Sequence, residues 1–530
     1  MTGSDGRPGG GSITLGRSRG QGYHDAFRPA AGVPARMTAA AIPPISLSAE
    51  VCERALNARD ARFDGIFFVG ITTTRIYCRP VCPARVSHYD RRRFFNSAAS
   101  AERAGFRPCL RCRPELAPGR ALCDAVPRLA RMAAHRIAAG ALNGRGVGQL
   151  ARELGVSDRH LRRVLEHELG VSPVELAQTH RLLFAKRLLA DTSLPVTRIA
   201  YASGFQSLRR FNSVFRARYR LSPSALRRGP RSAGERGSPP APLGDLVRLT
   251  LAYRAPLAWD TLMALLGRDA LPGMELVECG RYGRIVRLEG QSGVVFAAKS
   301  PAAKNHLDVD LSPSLLPVLM PLLARLRHLF DLDAEPTVVD AHLERGGLGG
   351  HVARRPGLRI PGALDGFEAA FRRLLGTRAV PGVMEALGES FDTGIPQLGR
   401  IAPDAARLAE AGAARLAQLG VPRRSAEILE ALARALAGGA LWLEPGSDVT
   451  AAHRILLTID GVGERLATRI VMAALHWPDA FDPWDRALQQ AAGTAGSAEL
   501  LALAERWRPW RAYAALHLRL GGDRLQVSLT

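Results

Sequence analysis

Cysteine is scarce in this chain, with seven in 530 residues. That excludes the disulfide framework on which small secreted domains rely. Long apolar runs are missing too. The most apolar stretch, LLPVLMPLLARL at 315–326, is broken by Pro317, Pro321 and Arg325, so no membrane span is expected. The N-terminus lacks the basic-then-apolar pattern of a signal peptide, which points to a cytoplasmic protein. Acidic residues are in deficit: 49 Asp and Glu against 72 Lys and Arg leave a formal net charge of +23. Such a surplus favours a polyanionic partner, either nucleic acid or an acidic membrane surface. The length exceeds what one hydrophobic core organises and implies several domains.

What cysteine there is lies clustered. Four of the seven form two tight pairs with the spacing Cys78-x3-Cys82-x26-Cys109-x2-Cys112. Two close pairs at this separation can assemble a tetrahedral four-thiolate zinc site; the alternative is four unrelated buried thiols. Most such sites are inert staples. Four thiolates on one Zn2+ nevertheless carry a formal charge of −2, and one sulfur can remain an electron-rich nucleophile. Arg79, Arg85, Arg107, Arg111 and Arg113 crowd the two loops and could bring a phosphate backbone to that sulfur. Cys52, Cys123 and Cys279 have no partner spacing and read as ordinary thiols.

The segments GIFFVGITTTRIYCRPVCPAR and AGFRPCLRCRPE, within about residues 50–116, resemble the N-terminal domain of the Ada-type adaptive-response proteins. The resemblance implies that zinc-bound Cys78 irreversibly accepts a methyl group from a methylphosphotriester in DNA, with Cys82, Cys109 and Cys112 completing the site. Methylation would remove one negative charge from the cluster, weaken its repulsion from DNA phosphates and raise DNA affinity. No Pro-Cys-His-Arg motif occurs, so the second methyl-acceptor activity of that family is not expected.

VGQLARELGVSDRHLRRVLEHELG (147–170) has a helix, a glycine turn and a second helix. Leu150, Ala151, Leu154, Val156, Leu161 and Leu165 supply the apolar stripe, and Ser157 can cap the second helix. Its first turn offers Arg159, His160, Arg162 and Arg163 to a DNA groove. The rhythm returns at 196–228, where Gln206, Ser207, Arg209 and Arg210 are assigned to the second helix. ELAQTHRLLFAKRLLADT joins the two units. The whole block resembles the AraC-type DNA-binding domain, which implies two recognition helices in the major groove and a promoter-bound activator, with RNA polymerase as a further partner.

A Gly-, Pro-, Ser- and Arg-rich linker follows, then strand-like alternation in DLVRLTLAYRAP and GRIVRLEGQSGVVFAAK. From 362 to 520 the pattern is almost wholly helical. In ILLTIDGVGERLATRIVMAAL (455–475), Gly461 and Gly463 let the chain turn and expose N–H groups to a DNA phosphate. In AFDPWDRALQQ (480–490), Asp485 begins a helix, for which an N-cap role is the simplest reading. With RPGLRIPGALDGFEAAFRRLLG and RWRPWRAYAALHL, these pieces resemble the helix-hairpin-helix glycosylases of the AlkA 3-methyladenine type over about residues 245–522. The resemblance implies base flipping and glycosidic cleavage, with Asp485 supporting the developing sugar cation. No lysine stands in the hairpin, which implies a monofunctional enzyme. Arg465, Arg469 and Arg519 fall where the resemblance predicts aromatic walls of the base pocket, and Arg378 falls where an apolar wedge is expected. Arginines there would repel a cationic base unless neutralised.

The expected fold class is therefore multidomain α+β. It comprises a disordered segment 1–45, a four-cysteine zinc domain 46–118, an all-α AraC-type double helix-turn-helix 119–228 and a linker 229–242. An antiparallel α+β domain 243–361 and an all-α helix-hairpin-helix glycosylase domain 362–530 follow. The expected cofactor is Zn2+. The expected partner is double-stranded DNA, alkylated and promoter, bound by a nucleoid-associated monomer with no membrane contact. The rival reading is a transcription factor with a structural zinc and a glycosylase-like DNA clamp that lacks activity.

Overall fold

The cysteine-bearing segment folds because its strands bring distant turns together. A four-stranded sheet runs in the order Arg92–Phe95, Phe68–Ile71, Ile76–Cys78, Arg107–Pro108. Val69 lies opposite Cys78 in an antiparallel pair, whereas Arg107–Pro108 runs parallel to Ile76–Tyr77. The Cys109 N–H donates to the Tyr77 carbonyl at 3.0 Å. Parallel pairing therefore sets the two cysteine turns side by side at one end of the sheet, although 26 residues separate them. In front of the sheet, the helix Ala49–Asn57 starts at Ser48, whose hydroxyl accepts from the Val51 N–H.

This computed structural model describes residues 47–84, 88–118, 128–228, 246–444 and 446–522. The segment 1–45, Arg85, Cys123 and the linker 229–242 lie outside them.

Both helix-turn-helix units form where the glycine turns predict. The first pairs Val147–Glu153 with Asp158–Leu169, the second Val196–Ala202 with Leu208–Tyr219. Gly155 and Gly204 take φ of +69° and +81° in the turns, a region other residues avoid. Between the units runs Pro173–Asp191, opened by a Ser172–Glu175 capping box.

The strand-rich region is a fully antiparallel five-stranded sheet, ordered Val247–Ala252, His306–Leu311, Gln291–Lys299, Arg281–Leu288, Glu275–Glu278. The apolar stretch at 315–326 begins as a 3-10 turn, Pro313–Val318, and becomes the helix Leu319–Leu329. No described helix is long and apolar enough to cross a membrane.

The last domain is helical as expected, apart from one short hairpin. Glu389–Ser390 pairs with Arg400–Ile401 in a short hairpin. The loop between them is rich in Gly, Thr and Pro, with Gly394 at φ +70°, and Thr393 ties it by donating to a backbone carbonyl. The helix Gly366–Leu387 is kinked at Gly376 and carries Pro381 beyond the kink.

The domains do not hang on one another as separate beads. One buried apolar cluster runs from Leu182, Leu189, Ile199 and Phe211 of the helix-turn-helix block into Leu249, Val309, Leu322 and Leu326 of the sheet domain. Polar seams also cross the boundaries. Lys186 is buried and pairs with Glu115 at 2.5 Å, and Arg254 donates to the Asp64 carbonyl at 3.1 Å. Burial of this kind is decided by long-range packing, so a domain list read along the chain could not show it.

Candidate metal centre and nucleic-acid interface

The ligand atoms of Cys78, Cys82, Cys109 and Cys112 all lie within 4.8 Å of one another. Cys78, the last residue of its strand, is half-buried; the other three are buried. The Arg79 N–H points at the Cys112 sulfur at 3.4 Å, and the Arg111 N–H at the Cys109 sulfur at 3.3 Å. Such N–H groups favour thiolate over thiol. A divalent ion ligated by all four sulfurs would balance their charge, and the donor set suits zinc. This is a four-cysteine zinc-binding site.

Two arginines of the loops, Arg79 and Arg113, are engaged within the protein in this arrangement. The Arg79 guanidinium sits against the Asp64 carboxylate, with Nε donating to Oδ1 at 2.7 Å and Nη1 to the Cys112 carbonyl at 3.2 Å. Arg113 is likewise held by Glu115 and Asp191. These arginines brace the metal loops. Arg111 is exposed and Arg107 half-buried, so both remain on the accessible side. Leu110, beside them, is 53% exposed and was not singled out from sequence.

In the first helix-turn-helix, Ser157 caps its helix by accepting from the His160 N–H. Arg159 and Arg163 are exposed, and Arg162 makes an exposed pair with Asp158 at 2.9 Å, which DNA phosphate could replace. In the second, Ser207 is the N-cap and Gln206 precedes it, so neither lies within the helix as expected. Both are exposed, as are Arg209 and Arg210. The shared core thus leaves both recognition surfaces open.

The hairpin lies between Val449–Leu456 and Glu464–Leu475. Gly461 adopts φ +82°, and Gly463 is the N-cap with open space beside it. Arg424, which sequence reading missed, joins Leu457, Asp460, Gly461 and Gly463 around a shallow open hollow suited to a phosphate. Arg378 is exposed just past the Gly376 kink.

Asp485 is the N-cap of Arg486–Ala492, and its Oδ1 accepts from the Leu488 N–H at 3.2 Å. It is 5% exposed. Above it stand the three arginines, and they are not free cations. Arg519 ion-pairs with Asp485 Oδ2, and Arg469 reaches the same oxygen at 3.3 Å. Asp482, also missed from sequence, takes Arg465 at 2.8 Å and Arg469 at 3.0 Å. Arg465 and Arg469 meet one acid because they are one helical turn apart. Arg519 arrives on the helix Arg511–Gly522, which is anchored by Arg511 to Asp479 through a buried pair at 2.6 Å. Burial, then the Arg469 and Arg373 charges, push the Arg519 guanidinium below its ordinary range. Beside the cluster, Trp484 is 53% exposed.

Three family models match the chain: the metal binding domain of Ada over residues 51–115, a helix-turn-helix domain over 150–229 and the AlkA N-terminal domain over 248–365. The chain is 37% identical over 486 residues to the Mycobacterium tuberculosis protein named "probable bifunctional transcriptional activator/DNA repair enzyme AlkA", covering 88% of this chain and 95% of that protein. It is 34% identical over 277 residues to DNA-3-methyladenine glycosylase 2 of Escherichia coli, covering 51% of this chain and 95% of that protein. It is 32% identical over 155 residues to regulatory protein Ada of Salmonella typhimurium, covering 29% of this chain and 42% of that protein.

Proposed function

The chain belongs to the family that fuses an Ada-type zinc and helix-turn-helix regulator to an AlkA-type DNA repair enzyme, and on that premise we propose a two-part response to DNA alkylation. The first part is a sensor. The four cysteines would hold a zinc ion, which supplies charge compensation that keeps the sulfurs as thiolates. The Cys78 sulfur attacks the methyl carbon of a methylphosphotriester. An S–C bond forms, the C–O bond breaks, and its electron pair stays on the phosphate as a restored phosphodiester anion. The protein site loses one negative charge, so its repulsion from the backbone falls. Arg107 and Arg111 approach phosphates, and the helix-turn-helix surfaces read promoter DNA. The half-buried position of Cys78 among three buried sulfurs carries this reading.

The second part removes alkylated purines from DNA. Gly461, Gly463 and Arg424 grip a phosphate, Arg378 enters the duplex beside the flipped nucleotide, and Asp485 supports positive charge at the sugar while water adds to it. No lysine nucleophile is needed, so the cut is simple hydrolysis.

Two measurements test the parts separately. Mass analysis after exposure to methylphosphotriester DNA is expected to find one methyl group, on Cys78; methyl on another residue overturns the sensor. Native protein is expected to release methylated bases from duplex DNA, and Asp485→Asn to release none. A second reading, a DNA clamp without excision, is favoured by the occupation of both Asp485 oxygens. Equal, background release by both proteins would establish it.

A further inference from the structure

The base-excision reading leaves open which alkylated bases enter, and the charge balance at Asp485 bears on that. Arg465, Arg469 and Arg519 bring three positive charges against two from Asp482 and Asp485, a net +1 within one connected cluster. Arg373 and Arg268 lie close enough to weigh further on Arg519. We propose that this site selects alkylated bases that are uncharged and carry oxygen or nitrogen acceptors on the edge, and that the three arginines act on the leaving base. The inference rests on the base-excision reading and names its substrate class.

The chemistry of departure gives the reason. In either case the C1′–N bond breaks with its electron pair going to the base and water forms the new bond to C1′; the proton that water sheds passes to solvent when the base leaves neutral and ends on the base when it leaves as an anion. A base methylated to a cation leaves as a neutral molecule and needs no donors. An uncharged base leaves as an anion, and fixed guanidinium donors lower that barrier. A cationic base would raise the local charge to +2, whereas a departing anion cancels it. Each guanidinium has five N–H donors, and the ion pairs to Asp482 and Asp485 occupy one or two on each arginine, leaving others for a ligand. Arg465 and Arg519 keep 49% and 42% of their side chains exposed, so those donors can face an incoming base.

The test uses the full chain under single-turnover conditions with two duplexes. One carries 1,N6-ethenoadenine, uncharged at pH 7; the other carries 7-methylguanine, a cation. Rates are divided by the spontaneous loss of each base. The enhancement is expected to be about tenfold or more greater for ethenoadenine. Arg465→Gln, at a half-exposed position, is expected to lose about tenfold on ethenoadenine and gain on 7-methylguanine. Arg465→Trp should move the preference further toward the cation. Greater enhancement on 7-methylguanine, or equal slowing of both by the Arg465 variants, overturns the inference while excision stands. Release of neither base, with Asp485→Asn indistinguishable from native, overturns the excision reading and this inference with it.

Discussion

Arg519 and Asp485 are ion-paired across the candidate site, although one lies on the last described helix and the other caps an earlier one. The carboxylate therefore has two separable duties. Its Oδ1 satisfies the Leu488 N–H, and its Oδ2 balances arginine charge. Asparagine keeps the cap and loses the charge; alanine loses both. Asp485→Asn is expected to keep most of the stability and to abolish base release. Asp485→Ala should cost about 1 kcal/mol more than Asp485→Asn, measured by denaturant unfolding.

Metal removal should be felt beyond the zinc domain. Lys186 on the helix Pro173–Asp191 is held by Glu115 at 2.5 Å and donates to the Cys109 carbonyl at 3.3 Å. Chelation at neutral pH is expected to speed amide exchange in residues 68–78 and 107–112, and also around 183–190. Loss of protection confined to the cysteine loops would count against this coupling.

Glu102 is fully buried, where it accepts from the Tyr77 hydroxyl at 3.1 Å and the Thr179 hydroxyl at 3.0 Å. Burial pushes its carboxyl up from 4.5 to about 7, against the pull of Arg218. The folded form therefore binds this proton more tightly than the unfolded chain. Its stabilising contribution is complete below pH 4.5 and is lost as pH rises through about 7. The loss is on the order of 3 kcal/mol. Glu102→Gln should remove that part of the pH dependence, read from melting temperature between pH 5 and 8.

The shared core predicts that damage on one side spreads to the other. Ile199 is fully buried in the helix-turn-helix block and belongs to the same cluster as Leu322. Ile199→Ala is expected to cost about 2–5 kcal/mol. Hydrogen exchange should show the sheet strands 247–252 and 306–311 loosened along with helix 196–202. Two independent unfolding transitions would refute the coupling.

The hairpin glycines should differ sharply. Gly461 sits at φ +82°, and an added Cβ would come within 3.0 Å of the Ile428 side chain. Gly463 has φ −89° and nothing within 4 Å. Gly461→Ala is expected to cost about 1–2 kcal/mol and to weaken duplex binding. Gly463→Ala should fold normally, and a gel-shift titration compares the two.

Much of the site was legible because its signals are local. Cysteine spacing marked the ligand set, glycine turns marked three helix pairs, and Ser157 and Asp485 were placed at helix starts by their capping chemistry. The hairpin Glu389–Ser390 with Arg400–Ile401 escaped notice because two-residue strands leave no period to read. Asp482 and Arg424 escaped because a lone acid or arginine carries no pattern.

Sequence alone determined the kinds of groups present and their order: four thiols in two pairs, two glycine-turned helix pairs, an aspartate after a hairpin and arginines where rings were expected. Tertiary structure alone decided what those charges meet. It set Arg79 on Asp64, matched three arginines with Asp482 and Asp485, and joined both halves through one core. Spacing and capping act within a few residues and can be read along a chain. Charge balance and burial are sums over neighbours that only the folded packing brings together.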